Sequence, residues 1–262
     1  MKLHPHIIES LAERLEACEL EARDTTKVTD DHPDMDWEDA YAVQDAIRAR
    51  KLARGARIVG LKAGLTSRAK MKQMNVEDPV FGFLADSFSV ADGGDIECAK
   101  LIHPKVEPEI AFVTKAPLRG PGCHIAAVLA ATDFVVPAIE IIDSRYRDFK
   151  FDLKSVVADN CSSSRFVVGG TATQVEGLDL RTLGVVLEKN GQPVALGAGA
   201  AVLGHPAAAV AMLANMLGRR GEEIPAGTLI LSGGITEAVA VAPGDNVSLR
   251  IQSLGRTSVR FV

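Results

Sequence analysis

Aromatic side chains are scarce in this sequence, at 5% of 262 residues, although 47% of the residues are hydrophobic. A core with so few aromatic rings must consist mainly of Val, Ile, Leu and Ala side chains. The length is sufficient for one large domain, or for one domain with an appendage. The composition therefore predicts a folded chain with a sizeable aliphatic core.

Several features that mark other classes of protein are also missing. A net charge of −5 argues against a nucleic-acid partner, which usually requires a basic surface. The four cysteines are scattered without a CxxC pair, which favours a reduced, cytoplasmic setting. The apolar stretch 194–217 is interrupted by Gly204, His205 and Pro206, and the N-terminal residues lack the pattern of a signal peptide. We therefore expect a soluble intracellular protein that spans no membrane.

Motifs for organic cofactors and covalent catalysis are absent as well. Residues 196–204 are rich in glycine, but Val202 stands where a dinucleotide-binding GxGxxG motif needs its third glycine. The segment around Lys62 lacks the spacing of a P-loop, and no GxSxG motif is present. His103 and His205 each precede a proline, which is typical of turns and unpromising for a water-activating dyad. These absences argue against NAD binding, acyl transfer and hydrolytic C–C cleavage.

Local patterns divide the chain near residue 55. Ile7, Ile8, Leu11 and Leu15 recur at helical spacing, and Asp36 is a plausible N-cap for a second helix that ends near Gly55. Short strands and turns dominate after that point. The sequence predicts an α+β protein with a helical N-terminal segment (1–55) and a β-rich catalytic core (56–262).

Two later segments give specific secondary-structure predictions within this core. Residues 183–199 predict a hairpin, because Asn190-Gly191 is a strong two-residue turn signal. Residues 205–217 predict a helix, in which Pro206 suits the first helical position.

The first candidate for chemistry is the pair Glu107 and Glu109. Strand alternation places both carboxylates on one side, while Val106, Ile110 and Phe112 face the other way. Two carboxylates at this spacing can converge on one hard cation. Two glutamates on a hydrated strand face are an equally simple interpretation, and on this pair alone we favour it.

Glu140 carries more information, because both faces of its strand, 135–142, are apolar. An ionised carboxylate there requires a charged partner, hydrogen bonds or a metal. Arg145 is close enough in sequence to form a buried ion pair, so a structural role and a metal-binding role are equally consistent with this segment. With three carboxylates and no Cys/His cluster, the metal would be Mg²⁺ or Mn²⁺ rather than zinc.

Lys62 and Ser162 are weaker candidates. Lys62 lies at a predicted strand end between glycines, where its charge could hold a substrate carboxylate, although a surface lysine beside a turn is the commoner case. Ser162 belongs to a dense polar run, 159–164, that by itself predicts a loop.

These segments together resemble the hydratase/decarboxylase branch of the fumarylacetoacetate hydrolase-like superfamily. The run Lys-Val-Glu-Pro-Glu-Ile-Ala-Phe-Val and the run Ala-Ile-Glu-Ile-Ile-Asp-Ser-Arg-Tyr carry the resemblance most clearly. It extends over essentially the whole chain through residues 58–62, 81–86, 105–113, 138–146, 157–163, 197–206 and 254–261. Residues 27–30, 83–90 and 144–151 look more like the decarboxylases of the branch than like its hydratases.

The resemblance implies a β-sandwich or β-roll core and a task for each candidate residue. Glu107, Glu109 and Glu140 would bind Mg²⁺ or Mn²⁺, Lys62 would act in catalysis and substrate binding, and Asp78 and Ser162 would line the pocket. The family's usual Ala between the first two glutamates is Pro108 here, and we expect the ligands to survive because Pro suits a strand edge or bulge.

The implied reaction is decarboxylation of 2-oxo-3-hexenedioate, a small 2-oxo dicarboxylate, to 2-hydroxypenta-2,4-dienoate during meta-cleavage breakdown of aromatic compounds. Hydration of that dienoate, or a non-catalytic role beside the hydratase, are the alternatives. The resemblance also implies a homo-oligomer and a complex with 2-hydroxypenta-2,4-dienoate hydratase. The sequence does not show which Lys or Arg would receive the distal carboxylate.

Overall fold

The structure is a computed structural model that describes residues 1–73 and 79–262. Its helices and strands alternate irregularly along the chain. The helices are α1 (Pro5–Leu20), α2 (Val28–Asp31), α3 (Trp37–Ala53), α4 (Arg68–Gln73), α5 (Ile125–Ala131), α6 (Leu153–Ala158) and α7 (Pro206–Arg219). The strands are β1 (Ile58–Gly64), β2 (Val80–Ala85), β3 (Ser89–Val90), β4 (Asp95–Ile96), β5 (Lys105–Thr114), β6 (Thr132–Ile142), β7 (Ser163–Val168), β8 (Gly184–Lys189), β9 (Gln192–Ala198), β10 (Leu229–Leu231), β11 (Val239–Ala240), β12 (Asn246–Ile251) and β13 (Gly255–Phe261).

The predicted helical N-terminal segment is confirmed, and its caps explain where α3 begins and ends. The Asp36 carboxylate accepts a hydrogen bond from Asp39 N–H, and Asp39 accepts one from Asp36 N–H, both at 2.9 Å. This reciprocal capping box satisfies two amide groups that have no partner within the helix. Gly55, at φ +89°, then takes the left-handed conformation that commonly follows a helix end.

The β-rich core contains two sheets among the described residues. The first has the strand order β2-β1-β10-β5-β6-β7-β3, with β11 also paired to β5. The second has the order β4-β13-β12-β8-β9. The predicted hairpin is β8–β9, and its turn residues Asn190 and Gly191 have φ values of 56° and 77°. The predicted α+β class with a β-rich core is confirmed.

The two faces of the first sheet pack into different cores. Val106, Ile110 and Phe112 of β5 pack in one core with residues of the second sheet and of α7. The opposite face contributes Ala111 and Ala138 to another core, which it shares with the N-terminal helices. The side chains of Glu107 and Glu109 therefore point towards the helical layer, because they alternate with Val106 and Ile110.

The helix α7 lies in the first of these cores. The stretch Gly199–Arg219 is long and apolar enough to cross a membrane by composition, but 61% of its most apolar window is buried inside the fold. Ala207, Val210 and Leu213 are fully buried against the sheets. Its apolar composition is accounted for by core packing, and Pro206 occupies the first helical turn as predicted.

Candidate metal centre

The register between β5 and β6 brings the three glutamates together. Glu107 is directly opposite Glu140, and Glu109 follows two residues later on the same face of β5. Each of the three carboxylates offers an oxygen within 4.8 Å of the others. Carboxylate oxygens that converge in this way match the donor set that Mg²⁺ and Mn²⁺ prefer.

Burial makes this cluster costly without a cation. Glu109 and Glu140 are both fully buried, whereas Glu107 is half-buried. Burial, followed by repulsion from Glu140 and Glu107, raises the pKa of Glu109 well above the usual carboxyl range. Among the described residues, Glu109 Oε1 and Glu140 Oε2 have no hydrogen-bond partner. Buried oxygens without partners, in a cluster of like charge, fit the ligands of a hard cation.

Arg145 is not the partner of Glu140. Its guanidinium forms a buried ion pair with Asp159 and donates to backbone carbonyls of Asp143, Ser163 and Asp159. The alternative of a buried Glu140–Arg145 pair is therefore wrong, because Arg145 is directed to the turn after α6. The hydrated-strand interpretation is also wrong for Glu109, which has no exposed surface.

Lys62 is the cation that meets Glu140. Its Nζ lies 2.6 Å from Glu140 Oε1, and it donates a hydrogen bond to the Cys161 carbonyl at 3.1 Å. Burial alone would lower the pKa of Lys62. The negative charges of Glu140 and Glu107 outweigh this effect, so the pKa is raised overall. Lys62 as a whole residue is 3% exposed, so its interpretation as a surface lysine is wrong.

An unusual turn before β7 holds the Cys161 carbonyl in place. Asn160, Cys161 and Ser162 have φ values of 46°, 52° and 57°, a left-handed run that non-glycine residues rarely adopt. The Asn160 side chain fixes the turn to β2: its amide donates to the Phe83 carbonyl at 3.0 Å, and its oxygen accepts from Phe83 N–H at 2.9 Å. These hydrogen bonds keep the strained left-handed backbone in place beside the carboxylates, and such strain is typical of functional sites.

The same turn brings Ser162 into the buried region. Its hydroxyl, like that of Ser163, is buried and has no hydrogen-bond partner in the described part of the chain. The thiol of Cys161 donates to the Phe81 carbonyl, and burial raises its pKa to about 12. The buried Cys161 thiol is therefore a poor nucleophile. Asp78, the other predicted pocket residue, lies outside the described residues.

The segment before β11 covers the glutamates from one side. Gly233 N–H donates to Glu109 Oε2 at 2.6 Å. At φ +103°, Gly233 approaches Thr66 so closely that an added Cβ would lie 2.1 Å from its hydroxyl oxygen. At Gly234 an added Cβ would lie 3.1 Å from the carboxyl carbon of Glu107. Both glycines therefore let the backbone approach the candidate ligands.

Pro108 is tolerated because the sheet is interrupted beside it. On its β10 side, β5 pairs with β10 at residues 111–113 and with β11 at residues 105–106. Between these pairings the Pro108 carbonyl accepts from Ile235 N–H at 2.9 Å, so this strand side faces a loop. The missing N–H of Pro108 is therefore not needed for strand pairing, and Glu107 and Glu109 keep their positions.

Three features of the site had no clear signal in the sequence. The Cys161 carbonyl and the Gly233 amide are backbone groups, whose positions depend on the turn and the loop. The pairing of Lys62 with Glu140 joins residues far apart in the chain. His103 Nε2 lies 2.6 Å from the Ser144 carbonyl, and the ring packs against Phe149, so its surroundings are structural.

Comparison with known proteins gives the class to which this fold and site belong. The family model for the fumarylacetoacetate (FAA) hydrolase C-terminal domain matches residues 55–262. The chain therefore belongs to the fumarylacetoacetate hydrolase family.

Relatives within that family narrow the similarity further. The chain is 65% identical over 253 residues to 4-oxalocrotonate decarboxylase of Pseudomonas putida, covering 97% of this chain and 96% of that protein. It is 43% identical over 256 residues to 2-hydroxyhexa-2,4-dienoate hydratase of Comamonas testosteroni, covering 97% of each. The solved structure of 4-oxalocrotonate decarboxylase from Pseudomonas putida G7, complexed with magnesium and adipate, superposes with a TM-score of 0.98 at 62% identity, covering 100% of this chain and 99% of that one.

Proposed function

We propose that this chain is a metal-dependent carboxy-lyase that converts 2-oxo-3-hexenedioate (4-oxalocrotonate) to 2-hydroxypenta-2,4-dienoate and CO₂ in the breakdown of aromatic compounds. The observation that carries the proposal is the cluster of Glu107, Glu109 and Glu140, in which Glu109 Oε1 and Glu140 Oε2 are buried and have no hydrogen-bond partner among the described residues. The 65% identity to 4-oxalocrotonate decarboxylase over nearly the whole chain supports this reaction over others of the family.

Glu107, Glu109 and Glu140 would hold Mg²⁺, or Mn²⁺, each through a carboxylate oxygen. When bound, the cation supplies Lewis-acid withdrawal of electron density from the 2-oxo group of the substrate. Gly233 N–H keeps Glu109 oriented by its hydrogen bond to Oε2. The unpaired Oε1 of Glu109 stays available for a ligand.

Lys62 supplies the charge and the proton that the reaction requires. In the substrate, the bond between C5 and the departing C6 carboxylate breaks, and its electron pair moves through the conjugated system to the 2-oxo oxygen. That oxygen gains negative charge and takes a proton to give the dienol product. The Lys62 ammonium orients the substrate and holds this proton, because Glu140 keeps it charged despite its burial.

Other residues complete the pocket around this centre. Ser162 offers a buried hydroxyl without a partner among the described residues, and it would bind the substrate together with Asp78. Residues 56–262 form the catalytic unit in this proposal, and residues 1–55 cover the sheet face that carries the glutamates. The core that the N-terminal helices share with Ala111 and Ala138 supports this covering role.

The family resemblance also leads to a proposed setting for the enzyme. It would act in the cytoplasm as a homo-oligomer and would associate with 2-hydroxypenta-2,4-dienoate hydratase, which consumes its product. Light scattering of the purified chain, alone and mixed with that hydratase, tests both associations. A monomer that does not bind the hydratase would contradict them without affecting the proposed reaction.

The decisive experiment offers the purified chain both candidate substrates with Mg²⁺. Release of CO₂ from 2-oxo-3-hexenedioate, abolished by chelation with EDTA and restored by Mg²⁺, is the expected result. The hydratase is the second candidate function, favoured by the 43% identity to 2-hydroxyhexa-2,4-dienoate hydratase. Hydration of the dienoate without release of CO₂ would establish that alternative and exclude the decarboxylase.

A further inference from the structure

Lys105 occupies the same sheet face as the candidate metal ligands. It is directly opposite Ile142 in the register of β5 with β6, and Glu107 follows two residues later opposite Glu140. Residues at this spacing lie about 6–7 Å apart along a strand. Exposure increases along this face, from the buried Glu109 to the half-buried Glu107 and Lys105. Lys105 therefore lies at the outer end of the row of glutamates.

The ammonium of Lys105 lies against an aromatic ring and has no carboxylate partner among residues 1–73 and 79–262. Its Nζ lies 4.0 Å from the centroid of the Phe149 ring, and it makes no ion pair within the described part of the chain. The neighbouring cations of this loop are engaged: Arg147 pairs with Asp24, and Lys150 pairs with Asp148. A ring on one side of an ammonium leaves its N–H donors free for an anion on the other side.

The position of Phe149 is fixed by its backbone. Asp148 and Phe149 have φ values of 56° and 59°, and Phe149 N–H donates to the Tyr146 carbonyl at 3.0 Å. The loop is tied to the N-terminal segment, because Thr25 N–H donates to the Arg145 carbonyl and Arg147 N–H donates to the Thr25 carbonyl. A strained and anchored loop that places a ring under a lysine is consistent with a built binding position.

Charge balance around the carboxylates indicates the kind of ligand. A divalent cation together with Lys62 would balance the formal charges of the three glutamates, so a further cation nearby would favour a dianionic substrate. In an extended six-carbon 2-oxo dicarboxylate, the two carboxylates are separated by the length of the carbon chain. This length is similar to the spacing of Glu107 and Lys105 along the strand.

We infer that Lys105 is a specificity-determining residue that binds the distal carboxylate of the substrate. The inference rests on the proposed function and names the cation that the sequence could not assign. It has a kinetic consequence, because the distal carboxylate is the group that departs as neutral CO₂. An ion pair with it is stronger in the bound substrate than in the transition state, so its removal raises KM and leaves kcat unchanged or higher.

A matched pair of unreactive ligands tests this assignment: 2-oxoadipate and 2-oxohexanoate, which differ only in the distal carboxylate. Calorimetry with the Mg²⁺-loaded chain should show that 2-oxoadipate binds at least about tenfold more tightly, the effect expected of a charge-assisted hydrogen bond. Lys105→Met should lose this preference while its affinity for 2-oxohexanoate stays within about twofold of wild type. Lys105→Arg should retain part of the preference, because it keeps the charge.

Lys100→Met is the control, since Lys100 is exposed and pairs with the exposed Glu97. It should preserve the preference of the wild-type chain. Survival of the preference in Lys105→Met would overturn the assignment, as would an equal loss of affinity for both ligands, which would indicate an effect on the metal centre. Failure of the wild-type chain to bind either 2-oxo acid in the presence of Mg²⁺ would instead overturn the proposed function.

Discussion

Lys62 Nζ and Glu140 Oε1 lie 2.6 Å apart in the candidate metal centre, and both side chains are almost completely buried. An ammonium so close to a candidate ligand is unusual, because it competes with a cation for the same carboxylate. The remaining Oε2 of Glu140 has no partner in the described residues. Glu140 can therefore pair with Lys62 through Oε1 and bind a metal ion through Oε2.

Replacement of Lys62 by Met separates its proposed role as a proton donor from its effect on metal binding by Glu140. We expect Lys62→Met to lower kcat by about 10²–10⁴-fold, the usual contribution of a positioned proton donor. Its affinity for Mg²⁺ should be retained or increased, because a positive charge beside Glu140 is lost. Steady-state kinetics and calorimetric titration with Mg²⁺ measure the two effects. Loss of metal binding in this variant would show that Lys62 is needed to organise the ligands.

Each glutamate of the cluster should be necessary for metal binding. Glu107→Gln, Glu109→Gln and Glu140→Gln should each lose most affinity for Mn²⁺, since a neutral amide is a poorer ligand for a hard cation. The matched control is Glu97→Gln, because Glu97 is exposed and pairs with Lys100 rather than with the cluster. Electron paramagnetic resonance of free Mn²⁺ reports binding without reference to activity. Unchanged binding in any one variant would remove that residue from the ligand set.

The raised pKa of Glu109 predicts how pH affects the metal. In the metal-free chain, the folded state holds this proton more tightly than the unfolded state does. Its free energy of unfolding therefore falls as pH rises from the usual carboxyl range through the raised pKa. A cation binds the deprotonated form, so the increase in Tm caused by Mg²⁺ should grow with pH and shrink in acid. Differential scanning calorimetry across this range checks the trend, and a stabilisation independent of pH would contradict it.

Gly234 tests how closely the covering loop approaches the metal ligands. A Cβ there would lie 3.1–3.3 Å from the carboxyl atoms of Glu107, so Gly234→Ala should displace that side chain and weaken Mg²⁺ binding. Gly184→Ala is the control, since its added Cβ would meet only the Gln252 side chain, at 3.7 Å. Calorimetric titration should show weaker binding in Gly234→Ala alone, with little change in Tm for either variant. Equal affinity in the two variants would contradict this account.

Asn160 combines a left-handed backbone with two hydrogen bonds to β2, and two variants separate these contributions. Asn160→Gly loses the bonds but tolerates the backbone, so unfolding should become easier by about 1–3 kcal/mol for each buried group left unpaired. Asn160→Ala should be less stable than Asn160→Gly by about 1–2 kcal/mol, the cost of the left-handed conformation. Urea denaturation measures both. Equal stability of the two variants would show that the turn is not strained.

The sequence predicted those features of the fold that depend on local physics. The capping residue Asp36, the Asn190-Gly191 turn and Pro206 at the start of α7 each act within a few residues, and each was confirmed. Strand alternation separated Glu107 and Glu109 from the core residues Val106, Ile110 and Phe112, which face the other way. The short strands and turns after residue 55 predicted the β-rich core, which the two sheets confirm.

Long-range pairing could not be predicted in the same way. Arg145 is close to Glu140 in sequence, yet the turn after α6 presents Asp159 to it, and Lys62 on β1 reaches Glu140 instead. Strand register decides such partners, and register depends on packing across the whole sheet. The direction of Lys105 likewise follows from its register with Ile142 and from the position of Phe149, whose loop is tied to Thr25 through Arg145 and Arg147.

The most direct test of the account is the fate of 2-oxo-3-hexenedioate in a single assay that follows CO₂ release and metal binding together. The account predicts that the wild-type chain releases one CO₂ per substrate only with Mg²⁺ or Mn²⁺, and that Glu109→Gln neither binds the metal nor releases CO₂. Release of CO₂ at the wild-type rate after chelation of all divalent ions, or by Glu109→Gln, would contradict it.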